Sequence, residues 1–210
     1  SVFCQTENIA MFNIVEGECI IKNNNDYSEY IKAIPGREVF SGDIVKSKEK
    51  SFCSIKFTDN KTSLILGEES TIQILDNLLS REIQLTRGNI YIENVHNPIK
   101  KTYVFTSNSQ IFVDHDKLWL ETHFIDGDSF FSIIQPMNFF NIENNSREII
   151  VDKILLTLDS KGILSESLNY GIVPDYVISD VSNTTNKQSI KLNKTDLIPV
   201  YGKRINNSKN

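Results

Sequence analysis

The sequence predicts an all-β domain of many short strands with almost no helix. Three observations predict it. Apolar and polar residues alternate with period two from Asn8 to about Ser165. Turn-forming clusters interrupt the alternation about every ten residues, the rhythm of a sandwich, barrel or solenoid. The composition is rich in Phe (12) and Tyr (7) but holds only two Met, which favours strands over helices.

In "SFCSIKFT", Cys53, Ile55 and Phe57 point one way while Ser54, Lys56 and Thr58 point the other. Leu64 and Leu66 alternate next, then Ile72 and Ile74, Ile83 and Leu85, and Ile90 and Ile92. The breaks are Ser41-Gly42-Asp43, Asp59-Asn60-Lys61, Gly67-Glu68-Glu69, Asp76-Asn77 and Arg87-Gly88-Asn89. Such residues tolerate left-handed backbone or hydrogen-bond to it. Only "STIQILDNLLSREIQL" has helix-like apolar spacing, and its β-branched residues and central Asp-Asn favour a hairpin.

The second half is rougher. "KTYVFT", "SQIFVD", "KLWLETHF", "DSFFSII", "MNFFNIEN", "REIIVDKILLTLD" and "GILSES" read as strands. Their corners are Ser107-Asn108, His115-Asp116, Asp126-Gly127-Asp128, Asn144-Asn145 and Ser160-Lys161-Gly162. Phe130-Phe131 and Phe139-Phe140 place aromatics on both faces of a strand. That suits a middle strand covered on two sides, or an exposed aromatic patch for a partner. After Ser165 the pattern fades into apolar islands, "DYVISDV", "QSIKL" and "DLIPVY", set in Asn, Ser, Thr and Lys. Those islands can pack back on their own domain or add as strands to a neighbour's edge. The expected organisation is an N-terminal extension over 1–8, a β domain over 9–165, and a C-terminal extension over 166–210.

A net charge of −5 argues against nucleic-acid binding. Lys46, Lys48, Lys50, Lys56 and Lys61 cluster, but Glu49, Asp59 and Glu68 among them make a solvated turn edge. No apolar run reaches the roughly 18 residues of a membrane helix. "SVFCQTENIAMF" lacks signal-peptide character and reads as a mature end left after cleavage. Cys4, Cys19 and Cys53 leave one thiol over if any two pair; Cys19 and Cys53 fall within the alternation and read as small core residues. Asn-x-Ser/Thr triplets at Asn60, Asn144, Asn183, Asn193 and Asn206 are expected by chance in so Asn-rich a chain.

Chemistry is hard to place. His115 lies between Asp114 and Asp116, but adjacent strand residues face opposite ways and cannot converge on a metal without a tight turn. "FIDGDSF" lacks the spaced ligands of a calcium loop and reads as a hairpin. No nucleophile elbow, carboxylate pair or phosphate loop stands out, so no catalytic, metal or cofactor residue is nominated.

Taken together, "IVEGECIIK", "IPGREVFSGDIVKSKEKSFCSIKFTDNKTSLILGEESTIQI", "IQLTRGNIYIEN" and "TYVFTSNSQIFVDHDKLWLET" resemble the FecR domain of bacterial envelopes. The matching positions are Gly17, Gly36, Gly42-Asp43, Ser47, Ser51, Asp59-Asn60-Lys61, Leu64 to Leu66, Leu85 to Gly88 and Thr106-Ser107. The resemblance covers roughly Ile9 to Ser165 and weakens late. An Arg-Gly-Thr-x-Phe turn of the family corresponds to His115-Asp116-Lys117-Leu118-Trp119 here, and a late glycine to Asp152-Lys153. It implies an extracytoplasmic, solenoid-like or sandwich-like β domain whose turns include Gly17, Gly36, Gly42, Asp43, Asp59 and Gly88. It does not carry the anti-sigma activity of FecR regulators, whose cytoplasmic, membrane-spanning and signalling segments have no counterpart in this sequence.

The expected function is a non-enzymatic, secreted or cell-envelope interaction protein that pairs with copies of itself through terminal strands. Candidate contact residues are Trp119, Phe139, Phe140, Tyr176, Ile178, Ile198 and Val200. The alternatives are a carbohydrate or cell-wall module stacking sugars on Trp119, Tyr91, Tyr103 or an exposed Phe, and a FecR-type sensor.

Overall fold

The structure, a computed structural model, describes residues 7–24, 29–123, 125–167 and 170–185. Among these residues seventeen strands, numbered in chain order, form two layers that share one long strand. Sheet A has the order β4 (Glu38–Val39), β1 (Ala10–Glu16), β6 (Phe52–Phe57), β7 (Thr62–Leu66), β9 (Ser80–Asn94), β12 (Asp116–His123), β13 (Gly127–Ser132), β16 (Leu156–Leu158), β17 (Leu164–Glu166). Sheet B runs β3 (Ile31–Lys32), β2 (Cys19–Lys22), β5 (Ile44–Ser47), β8 (Thr71–Asp76), β9, β10 (Lys101–Phe105), β11 (Ser109–Val113), β14 (Met137–Asn141), β15 (Ser146–Ile150). Neighbours are antiparallel except β9 and β10.

β9 passes from one sheet to the other at Gly88, where φ is +81°. Its first half pairs with β8 and β10, and its second half with β7 and β12. A side chain at 88 would bring a Cβ within 2.3 Å of the Ser70 Oγ and 2.7 Å of its Cα. Glycine is therefore required by both space and backbone. The Ser70 hydroxyl accepts from the Asn89 N–H at 2.8 Å and donates to the Glu68 carbonyl at 2.8 Å. The same device recurs at the β1–β2 corner. There Ser51 accepts from the Glu18 N–H at 2.8 Å and donates to the Glu49 carbonyl at 3.0 Å. In each case a left-handed residue, Glu69 or Lys50, precedes the serine.

Between the sheets lies the main core, which contains Cys19, Cys53, Ile55, Phe57, Leu64, Leu66, Ile72, Ile74, Ile83 and Leu85. Cys19 and Cys53 are buried free thiols. One end is closed by a polar network around Arg81, which is 1% exposed. Its guanidinium donates to Asp76 at 2.7 Å, to Asp59 at 3.0 Å and to the Thr62 hydroxyl, and lies 3.7 Å from the Phe57 ring centre. Thr62 and Thr102 both donate to Asn94, whose amide donates to the Val113 carbonyl. So many satisfied polar groups allow a charged side chain to sit in the interior.

The all-β expectation is met, and the predicted β8–β9 hairpin forms. One departure is local. "DYVISDV" belongs to helix α1 (Asp175–Thr185), preceded by a 3-10 turn over Tyr170–Ile172. Val177 and Ile178 both donate their amides to the Pro174 carbonyl, and Asp175 places a carboxylate in the first turn, where the helix dipole favours it. Val173 and Val177 then meet on one face.

Candidate interaction surfaces

α1 lies on the outer face of sheet A. Val173, Val177 and Ile178 pack there against Tyr91, Trp119, Phe131, Ile133 and Leu155 to form a second core. This explains the paired aromatics of β13: Phe130 enters the sandwich and Phe131 meets the helix layer. β12 does likewise, with Leu118 and Leu120 inward and Trp119 beneath the helix layer.

A polar clasp fixes the helix. Lys117 Nζ donates to the Asp180 carboxylate at 2.8 and 3.0 Å, and the Tyr91 hydroxyl donates to the same group. Burial alone would lower Lys117, but the hydrogen bond and charge of Asp180, with Glu93, hold its ammonium above the ordinary range. Burial first, then Asp180, pushes the Tyr91 phenol well up. Beside the clasp a groove of about 510 Å³ runs between Ile172, Pro174 and Tyr176 on one wall and Phe52, Ile65 and Glu121 on the other. Burial raises the Glu121 carboxyl, partly offset by His123, whose Nε2 lies 3.2 Å away.

The histidine corner is structural. His115 has φ +53° and Lys153 φ +59°, the left-handed backbone that a glycine supplies most readily. Asp114 turns outward to His96 Nδ1 at 2.8 Å. Asp116 turns inward and accepts from the Lys117 N–H at 2.6 Å, the Ile134 N–H at 3.0 Å and the Ser132 hydroxyl at 3.2 Å. The two carboxylates therefore diverge. Asp128 of the hairpin is equally internal and accepts from Thr106, Ser109, Thr122 and Asn108. Among the described residues no three His, Cys, Asp or Glu side chains gather closely enough to hold a metal ion. In the lysine cluster, Lys48 pairs with Glu18 at 2.7 Å and Lys46 lies 4.4 Å from the Tyr30 ring centre.

The residues expected to touch a partner fall into separate places. Trp119 has no exposed surface, and Phe139 and Ile178 are buried, so none of the three presents a free surface. Tyr176 is 41% exposed on the groove wall, in edge contact with Tyr91. Phe140 is half-buried on the outer face of sheet B. Ile198 and Val200 lie outside the described residues. Of the possible sugar platforms, Tyr91 and Trp119 are under the helix layer, and Tyr103 stands on the outer face of sheet B beside Phe112. The turn residues Gly17, Gly36, Gly42 and Gly88 all have positive φ, and Asp43 and Asp59 stand at corners, accepting from the Phe40 and Lys61 amides.

Sequence reasoning did not single out the C-terminal end of the sandwich. There β15 and β17 are each hydrogen-bonded on one side only among the described residues. Asn141 donates to the Gly162 carbonyl at 2.9 Å, as Asn144 also does, which ties the β14–β15 turn to the β16–β17 turn. Ile142, Ile149 and Ile163 are 45%, 37% and 47% exposed around these edges. Unpaired edges flanked by apolar side chains are templates for further strands. Their only signal in the sequence is an isoleucine on the polar side of the alternation.

No helix among the described residues is long and apolar enough to cross a membrane. No protein-family model matches the sequence, and no curated protein matches it. Among solved structures the fold is similar to that of a protein described as a "putative anti-sigma factor" from Parabacteroides distasonis ATCC 8503, seen in two crystal structures. Each superposes with a TM-score of 0.52 at 10% identity, covering 59% of this chain and 58% of that one. The likeness is one of fold, an all-β domain, over less than two thirds of that protein.

Proposed function

We propose that this chain is a non-enzymatic, extracytoplasmic interaction domain of the FecR type that works through protein contacts, copies of itself included. The observation that carries the reading is the C-terminal end of the sandwich: among the described residues β15 and β17 are each unpaired on one side, with Ile142, Ile149 and Ile163 exposed around them. Edge pairing there would satisfy bare backbone groups and cover apolar surface together. Hydrogen exchange tests it. In dilute protein the outward amides of β15 and β17 exchange rapidly, and raising the concentration slows them. Exchange independent of concentration overturns self-pairing.

A second reading, a regulatory domain, is favoured by the fold shared with the protein described as an anti-sigma factor. A sigma-factor gene beside this one, whose product is retained by the purified domain, supports it. Failure to retain that product removes it.

A further inference from the structure

We propose that the outer face of sheet B is a binding platform for a linear polysaccharide. The pairing register sets one straight row across six strands: Gln73, Gln84, Phe105, Gln110, Phe140 and Arg147. Their strand neighbours Ile74, Ile83, Val104, Ile111 and Phe139 are buried in the core, so the row faces outward. Beside it, Tyr103 pairs with Phe112, which is 38% exposed, with ring centres 5.4 Å apart; Tyr103 also lies 6.3 Å from Phe105. A shallow depression of about 500 Å³ opens here, with Lys101, Asn138 and Arg147 at its rim.

The chemistry is particular. Four rings occupy an outer sheet face, where polar residues are the norm: Tyr103 touches Phe105 and Phe112, and the Gln110 amide stands between Phe105 and Phe140. Flat rings match the C–H faces of pyranose sugars, and each glutamine offers two donors and an acceptor to sugar hydroxyls. Phe105 and Phe140 stand two strands apart, roughly 9.5 Å at normal strand spacing, so alternate sugars along one chain can meet the two rings while Gln110 faces the sugar between them. Arg147 ends the row on β15, and Lys101 lies on β10 four residues before Phe105.

The test is independent of edge pairing, because its substitutions lie on β10 and β11 in the interior of sheet B, away from the β15 and β17 edges. Purified protein is sedimented with insoluble peptidoglycan, chitin and cellulose, and titrated calorimetrically with the soluble hexaose of whichever retains it. Retention on at least one polymer is expected. Tyr103→Ala with Phe112→Ala should weaken binding at least about tenfold, the value of two aromatic contacts. Tyr176→Ala, on the helix that covers the opposite sheet, should leave it unchanged. Gln110→Ala should weaken it as well, and does so without removing a ring, in case the double variant unfolds. No retention on any polymer, or binding that both platform variants keep at full strength, overturns the proposal.

Discussion

Undocking α1 should expose the chain's single tryptophan and leave the sandwich folded. The helix layer contributes Val173 and Val177, both fully buried, and Ile178 at 6% exposure. Burying one such side chain is worth roughly 1.5–3 kcal/mol. Ordering each helical residue costs about 1–2 kcal/mol in backbone entropy, so three anchors and one clasp hold the helix by a narrow margin. Val177→Asp removes one anchor and places a carboxylate against Trp119 and Phe131, a loss of at least about 3 kcal/mol. That shifts the docked-to-undocked ratio at least about a hundredfold. The main core is a separate cluster and keeps its packing. Wild-type Trp119 should therefore fluoresce blue and resist acrylamide quenching, whereas Val177→Asp should emit red and quench freely, with the cooperative β-sheet transition retained. Quenching of the wild-type tryptophan, or an unchanged spectrum in the variant, would refute the docking.

Two further outcomes follow from the buried charges. Arg81→Met leaves Asp76 with Lys100 as its remaining cation and takes the guanidinium from Asp59 and Thr62; breaking this much of a buried ionic network costs about 3 kcal/mol, so melting should fall by roughly 6–12 °C in calorimetry. Burial raises the folded-state pKa of Glu121, so its contribution to stability is full below the unfolded value of about 4.3 and is lost as pH rises through the folded one. Glu121→Gln should accordingly melt higher than wild type at pH 7, and the advantage should vanish near pH 4.

Much of this fold was legible because half-buried strands alternate strictly. Cys53, Ile55 and Phe57 face the core as their spacing requires, and Asp59-Asn60-Lys61 turns as its chemistry predicts. Partner strands were not legible, because alternation assigns faces and leaves the neighbour open. Nothing local announces that β10 joins β9 in parallel, or that β9 serves both sheets. Trp119 shows the same limit. Its spacing placed it opposite Leu118 and Leu120, as found, but the face it occupies is covered by a helix from more than fifty residues away. That helix was misread because Val177 and Ile178 are β-branched, although Pro174-Asp175 and the four-residue step from Val173 to Val177 mark a helix start. The platform on sheet B was half legible: Tyr103 stood out in the sequence, and the glutamines align with Phe105 in the row beside it only through register.

Sedimentation velocity over a wide concentration range tests the interaction account most directly. The wild type should pass from a 24.0 kDa monomer to larger species as concentration rises, and Ile149→Lys with Ile163→Lys, which places charge on the open edges, should remain monomeric. A wild-type chain that stays a 24.0 kDa monomer throughout, or a double variant that associates equally well, would contradict it.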